Sequence, residues 1–212
     1  QLNLKMISAK WKKVSLVLEG GSIDVNGLGT LITTEECLLD QHKQPRNSGI
    51  TKSELEKLFM KYLGITNVIW LNKGIDGDDT HGHVDDICRF VDKRTIVLAI
   101  ETNSSDANAL VLAENKERLK QVKLENGSKP TVVMLPMPRP VYFKKWRLPA
   151  SYANFYIANR IVLVPIFNDP ADRKALGVLS DLFPTRDVVG IHAVDLLIGL
   201  GGLHCITLQE PV

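Results

Sequence analysis

The feature that most constrains this chain is an internal repeat. Three stretches read as hairpins, each an apolar run, a short polar turn and a β-branched run. The first runs Gly21-Ser22-Ile23-Asp24-Val25, turns at Asn26-Gly27-Leu28-Gly29 and returns through Thr30-Leu31-Ile32-Thr33-Thr34. The second covers 83–91, turns at Asp92-Lys93-Arg94 and returns through 95–100. The third is Ala153-Asn154-Phe155-Tyr156-Ile157, a turn at Ala158-Asn159-Arg160, and a return through 161–164. The returning strands start near positions 30, 95 and 161, a period of about 65 residues. A helical pattern follows each hairpin. Thr51-Lys52-Ser53-Glu54 resembles a capped start, Leu55, Leu58, Phe59 and Tyr62 fall at helical spacing, and Gly64 ends the helix. A second helix is expected over 107–124. A third opens at Asp169-Pro170 and stops at Pro184, with Leu176, Leu179 and Leu182 on one face. Apolar strands follow at 68–71, 131–135 and 188–191.

The unit is therefore strand, strand, helix, strand, three times over, in a single α/β domain covering 1–212. A fourth copy is expected to begin at Leu203-His204-Cys205-Ile206-Thr207 and to stop at Val212. Units that each expose an apolar face stack in an array or close in a ring. In a ring, equivalent positions face the axis. The polar entries to the first strands are Glu19-Gly20-Gly21, then His83 and Asp85, then Ser151 and Asn154, then His204 and Cys205. Glu19 and Cys205, far apart in sequence, are thus expected to meet. The result is a site with a thiol, an imidazole and carboxylates. A thiolate is a strong nucleophile that a nearby imidazole can activate. Clustered carboxylates hold a cation, and a planar guanidinium matches them in pairs.

The richest polar segment is Gly74-Ile75-Asp76-Gly77-Asp78-Asp79-Thr80-His81-Gly82-His83-Val84-Asp85-Asp86. It holds two histidines and five aspartates in thirteen residues. Such a loop is costly to bury unless its groups are paired or do chemistry. Asp76, Asp78 and Asp79 read as loop-folding residues that bond local backbone. The His81-Gly82-His83-Val84-Asp85-Asp86 run also has the look of a two-metal hydrolase signature. His42, His192 and His204 lack matching carboxylate neighbours apart from Asp195, which weighs against that reading. Asp24 reads equally as a turn residue or a ligand, and Glu19 as a strand-end cap or a site residue. Cys37, Cys88, Trp70 and Trp146 read as packing, and His204 as structural.

Composition sets the outer bounds. The 212 residues carry 44% apolar and 24% charged side chains with a formal net charge of +2. No basic stripe points to nucleic acid. No apolar run approaches the ~18 residues of a membrane span. Three scattered cysteines are not a disulfide scaffold and fit a reducing, cytoplasmic setting. The chain opens Gln1-Leu2-Asn3 rather than with Met, so a fragment of a longer protein is expected.

Four segments carry a family resemblance. They are Leu16-Val17-Leu18-Glu19-Gly20-Gly21-Ser22-Ile23-Asp24-Val25-Asn26-Gly27, Asp79-Thr80-His81-Gly82-His83-Val84-Asp85-Asp86, Leu148-Pro149-Ala150-Ser151-Tyr152-Ala153-Asn154-Phe155-Tyr156 and Gly201-Gly202-Leu203-His204-Cys205-Ile206-Thr207. Together they resemble the agmatine deiminase family, also known as porphyromonas-type peptidyl-arginine deiminases, of the guanidine-modifying superfamily. The resemblance implies the pentein fold, a five-bladed α/β propeller of ββαβ units, here without its first blade. It implies hydrolysis of agmatine to N-carbamoylputrescine and ammonia through a covalent thiouronium, in polyamine biosynthesis, with no metal or organic cofactor. Cys205 would be the nucleophile and His83 the general acid/base. Asp85 would bind the guanidinium, and Glu19 would bind it or orient His83. Gly201 and Gly202 would let the backbone approach the substrate, and Asn154 would help to bind it. Peptidyl-arginine deimination and a non-catalytic remnant are the alternatives. The implied partner is a small guanidine, with no nucleic acid or membrane, and a homodimer by family analogy. Two positions depart from the pattern: His81 stands where the family often has Asp, and Leu208 where it often has Gln. The N-terminal part that supplies a further guanidinium-binding Asp in the family has no counterpart here.

Overall fold

The structure, a computed structural model, describes residues 7–209. In chain order the elements are β1 (Lys10–Trp11), β2 (Val14–Ser15), β3 (Asp24–Val25), β4 (Thr30–Thr34), α1 (Glu35–Leu39), α2 (Lys52–Leu63) and β5 (Asn67–Leu71). Then come β6 (Cys88–Phe90), β7 (Thr95–Ile100), α3 (Asn108–Leu119), β8 (Thr131–Pro136), β9 (Tyr142–Phe143) and β10 (Trp146–Arg147). The chain ends with β11 (Tyr156–Ile157), β12 (Ile161–Ile166), α4 (Asp172–Leu182) and β13 (Asp187–His192), with short 3₁₀ turns between. Three sheets share one plan: β3-β4-β5, β6-β7-β8 and β11-β12-β13. In each, the first pair is antiparallel and the second parallel, with a helix as the crossover. The sequence repeat is therefore a structural repeat.

Local chemistry explains the elements. Asn26 Oδ1 accepts the backbone N–H groups of Leu28 and Thr30 at 2.9 and 3.0 Å, closing the first hairpin. Gly27 sits there at φ +73°, a conformation that costs other residues dearly. Asp92 closes the second hairpin by accepting from the N–H groups of Arg94 and Thr95, both at 2.7 Å. Helix α2 begins with a full capping box between Thr51 and Glu54 and ends at Gly64, φ +70°. Strand β4 is buried at all five positions, as expected of a central strand covered on both faces.

The units stack face to face. Leu31 and Trp70 of the first sheet pack with Leu55 and Phe59 of α2. The opposite face, Ile32, Ile69 and Leu71, packs with Leu112 and Leu119 of α3 and Ile96 and Leu98 of the second sheet. Val97 and Leu135 then join Ala175 and Leu179 of α4 and Val162 and Val164 of the third sheet. The far face of the third sheet leaves Val189 and Ile191 38% and 37% exposed.

Several expected boundaries shift. The first strand of the second hairpin is only Cys88–Phe90, because residues 84–86 coil into a 3₁₀ turn that carries site residues. Helix α3 stops at Leu119, since the chain reverses through Leu124 N–H to Ser128 O, with Gly127 at φ +81°. Helix α4 starts at Asp172, whose carboxylate accepts N–H bonds from Phe167 and Asp169, so Asp169-Pro170 lies in the preceding turn. The fourth copy does not begin as a strand. Residues 204–206 form a 3₁₀ turn, because His204 N–H is taken by Asn154 rather than by a neighbouring strand. The remainder of that expected copy, to Val212, lies partly outside the described residues. Trp70 is packed as expected, but Trp146 is 65% exposed on the β9–β10 hairpin, which the sequence patterns did not announce.

Candidate active site

A cleft of about 660 Å³ gathers the polar entries of the units. Glu19, His83, Asp85, His204 and Cys205 line it, together with Asp24, Thr80, Arg89, Leu208 and Gln209. Glu19 precedes a 3₁₀ turn, Gly20–Ser22, and His83 and Asp85 lie at the next one, Val84–Asp86. The polar loop holds His83 in place. Asp78 Oδ2 accepts the N–H groups of Gly82 and His83 at 2.8 and 3.1 Å, and Thr34 Oγ1 donates to Gly82 O at 2.5 Å. Asp78 also binds Thr80, so this aspartate folds the loop as expected.

Asp85 is the centre of the cluster. Its Oδ2 pairs with His204 Nδ1 at 2.7 Å and lies 3.6 Å from Cys205 Sγ. Its Oδ1 is 4.0 Å from His83 Nδ1 and has no hydrogen-bond partner. Among the described residues four buried side-chain polar atoms are unpartnered. Three belong here: Glu19 Oε2, His83 Nε2 and Asp85 Oδ1. Buried polar atoms are normally paired with protein or water, so three together mark a place with unused bonding capacity. Gly21 makes the crowding possible: a Cβ there would lie 2.5 Å from His83 Nδ1 and 2.7 Å from Asp85 Oδ2.

Cys205 borders the open cleft, but its sulfur is hemmed in. Asn154 Nδ2 donates to Sγ at 3.1 Å and to Asp86 Oδ1 at 2.8 Å. Desolvation, then the charges of Asp85 and Asp86, push the thiol up to about 12, against the pull of the Gly202 N–H and the Asn154 amide. Asp86 is itself raised well above the ordinary carboxylate value, chiefly by burial and then by Asp85.

The residues expected in the site divide into two groups. Glu19, His83, Asp85 and Cys205 converge on the cleft. Asn154, Gly201 and Gly202 stand behind it and hold the turn that carries Cys205. Asn154 is buried, and its carbonyl and side-chain oxygens accept His204 N–H at 3.3 and 2.8 Å. A Cβ on Gly202 would run into Asn154 Oδ1, and one on Gly201 would come 3.1 Å from Cys205 Cβ. These glycines therefore permit close packing of the turn. Asp24 is neither a turn residue nor a free ligand: it binds Arg89 Nε at 3.0 Å and accepts Phe90 N–H. His204, read from sequence as structural, lies in the cleft on Asp85. Arg46 was not anticipated at all; its Nε binds Glu19 Oε1 at 2.9 Å from a loop without any sequence signal. Cys37 is buried, as expected, yet it lies against the site. Its Sγ, a Glu19 oxygen and a His83 nitrogen are mutually within 4.8 Å. That trio is the group of metal-ligating atoms found among the described residues, and it differs from the run at 81–86.

The family model of Porphyromonas-type peptidyl-arginine deiminases matches residues 1–211. The chain belongs to this family. The agmatine deiminase of Pseudomonas aeruginosa (strain LESB58) is 36% identical over 221 residues, covering 96% of this chain and 59% of that protein. A substrate-bound C. jejuni agmatine deiminase, in a cysteine-to-serine variant, superposes with a TM-score of 0.82 at 37% identity, over 92% of this chain and 56% of that one. The agmatine deiminase of Enterococcus faecalis gives a TM-score of 0.86 at 32% identity, over 92% and 57%. The fold of this deiminase-family chain is thus the pentein α/β propeller type, with three ββαβ units among its described residues. The chain spans about 60% of the length of the curated relatives it matches. Among the described residues no helix is long and apolar enough to cross a membrane.

Proposed function

We propose that the cleft hydrolyses a guanidinium group, with agmatine as substrate and N-carbamoylputrescine and ammonia as products. One observation carries this reading. Two unpartnered carboxylate oxygens, Glu19 Oε2 and Asp85 Oδ1, flank an unpartnered imidazole nitrogen in the cleft that Cys205 borders. A guanidinium offers paired N–H donors and a positive charge to such acceptors, and its central carbon is open to a thiolate.

The chemistry follows from the geometry. Asp85 Oδ1 and Glu19 Oε2 accept N–H bonds from the bound cation. Its charge offsets that of Asp85 and Asp86, the groups that hold the Cys205 proton in place, and so favours the thiolate. The S–H bond of Cys205 breaks, its proton passes to His83, and Sγ attacks the central carbon as the C–S bond forms. His83 delivers a proton as the C–N bond breaks and ammonia leaves. His83 then takes a proton from water, which adds to the thiouronium carbon; the C–S bond breaks and the urea product departs with the thiol restored. Acid–base help of this kind contributes about 10²–10⁴-fold. The Arg46–Glu19 and His204–Asp85 contacts hold the two carboxylates in position.

Agmatine is favoured over peptide-bound arginine because the matched P. aeruginosa, C. jejuni and E. faecalis proteins carry the name agmatine deiminase. The cytoplasm is the expected location, and a homodimer the expected assembly. The test is ammonia and N-carbamoylputrescine release by the purified chain and by its Cys205→Ala variant. Loss of at least about 10³-fold is expected in the variant. A folded wild-type chain that releases neither product would instead support the non-catalytic alternative. Faster turnover of a peptidyl-arginine in a competition assay would reverse the substrate assignment.

A further inference from the structure

We infer that Glu19, Cys37 and His83 form a binding site for a thiophilic divalent cation of the zinc type, inside the wall of the cleft. Three donors of different chemistry meet there: a carboxylate oxygen, a thiol sulfur and a ring nitrogen, all within 4.8 Å of one another. This is the oxygen, nitrogen and sulfur set that zinc accepts. Cys37 is fully buried and His83 is 8% exposed, so these two donors are held by packing, while Glu19, with a 37% exposed side chain, is held by Arg46. A second observation is independent of the clustering. His83 Nε2 and Glu19 Oε2 are both buried and without partners, so donor capacity on two of the three residues is unused. Arg46 holds only the other oxygen of Glu19.

The geometry needs little adjustment. With zinc–ligand distances of about 2.0–2.3 Å, tetrahedral neighbours stand roughly 3.3–3.8 Å apart, so the trio would close by about 1 Å. Glu19 and His83 both line the cleft, so the trio lies at its wall. Burial pushes the Cys37 thiol up to about 12, opposed by the charge of Arg46 and reinforced by those of Glu19, Asp78 and Asp85. On binding, the S–H bond of Cys37 breaks, its proton leaves to solvent, and an S–metal bond forms; no oxidation state changes. Occupancy would take His83 out of proton transfer. This inhibitory consequence, unlike the binding itself, rests on the deiminase reading.

Cobalt(II), a spectroscopic stand-in for zinc, tests the site in the purified chain. One equivalent is expected to give intense tetrahedral visible bands and a near-ultraviolet thiolate-to-cobalt charge-transfer band, both erased by one equivalent of zinc. The charge-transfer band should survive in Cys205→Ala and vanish in Cys37→Ser. Because a hydroxyl at a fully buried position threatens folding, His83→Ala is the second variant; it should weaken cobalt binding by about tenfold or more with an unchanged circular dichroism spectrum. No charge-transfer band in the wild type, or one lost with Cys205 and kept without Cys37, overturns the site. If agmatine is turned over, one equivalent of zinc should stop it and a chelator restore it. Unaltered turnover with the band present would overturn the inhibitory role alone.

Discussion

At Cys205 the resting surroundings work against the thiolate. An acidic group whose value is raised keeps its proton at neutral pH, so a thiol pushed up to about 12 is almost wholly S–H at pH 7. Iodoacetamide labelling at Cys205, read by mass spectrometry, should therefore be slow at pH 7 and should rise as pH climbs toward 12. A bound guanidine should shift that curve to lower pH. Labelling at pH 7 as fast as that of a free thiol would refute the account. Gly21 offers a steric test. Its missing side chain leaves room for His83 and Asp85, and a methyl at 2.5 Å from a ring nitrogen forces one of them to move. Gly21→Ala is expected to lower kcat/KM by about 10²-fold, as a ~1 Å misplacement can, and this is checked by steady-state kinetics. At this scale the sequence was informative only where a residue type has few other uses. Glu19, His83, Asp85 and Cys205 stood out by their place in the repeat. His204 shares its place in the repeat with Cys205 but was read as structural, because nothing in a sequence tells which way a residue in a 3₁₀ turn faces. Arg46 and Cys37 reach the site through a loop and a five-residue helix that belong to no repeat position.

Elements were legible in proportion to the strength of their local chemistry. Helix α2 has both a capping box and a glycine stop, and its limits matched to the residue. Helix α4 has no side-chain cap at its first turn, the end that was misjudged, and α3 was misjudged at its other end, where Lys120 and not a glycine follows the last helical residue. The β9–β10 hairpin has two-residue strands with exposed aromatics, too short to show a period. The Thr51 cap is also separable from function, since α2 does not line the cleft. Thr51→Ala should lower stability by about 1 kcal/mol in a urea titration while leaving agmatine turnover unchanged. A loss of turnover at full folding would mean that α2 shapes the site.

At the scale of the molecule, the ring argument held: residues from separate units share one cleft, although no single unit contains a complete site. What the repeat could not show is the tie that keeps the units at their spacing. Arg89 of β6 donates to Asp24 of β3 at 3.0 Å and to the carbonyls of Ala153 and Phe155 at 3.3 and 2.9 Å, with its guanidinium 5.0 Å from the Phe155 ring centre. One side chain thus joins three units. Arg89→Met would leave Asp24 without its cation and should cost about 3–5 kcal/mol, measured by chemical denaturation. A loss below ~1 kcal/mol would show that the stacked cores alone hold the units together. The His204 contact has a different consequence. With one oxygen of Asp85 tethered, the carboxylate cannot swivel, and its other oxygen presents its lone pairs in a single plane. A flat cation can slide into that plane and keep both of its edges bonded. A tetrahedral ammonium of equal charge cannot lie flat in that plane, so under the proposed function the cleft would favour a planar cation by its shape before any bond is broken.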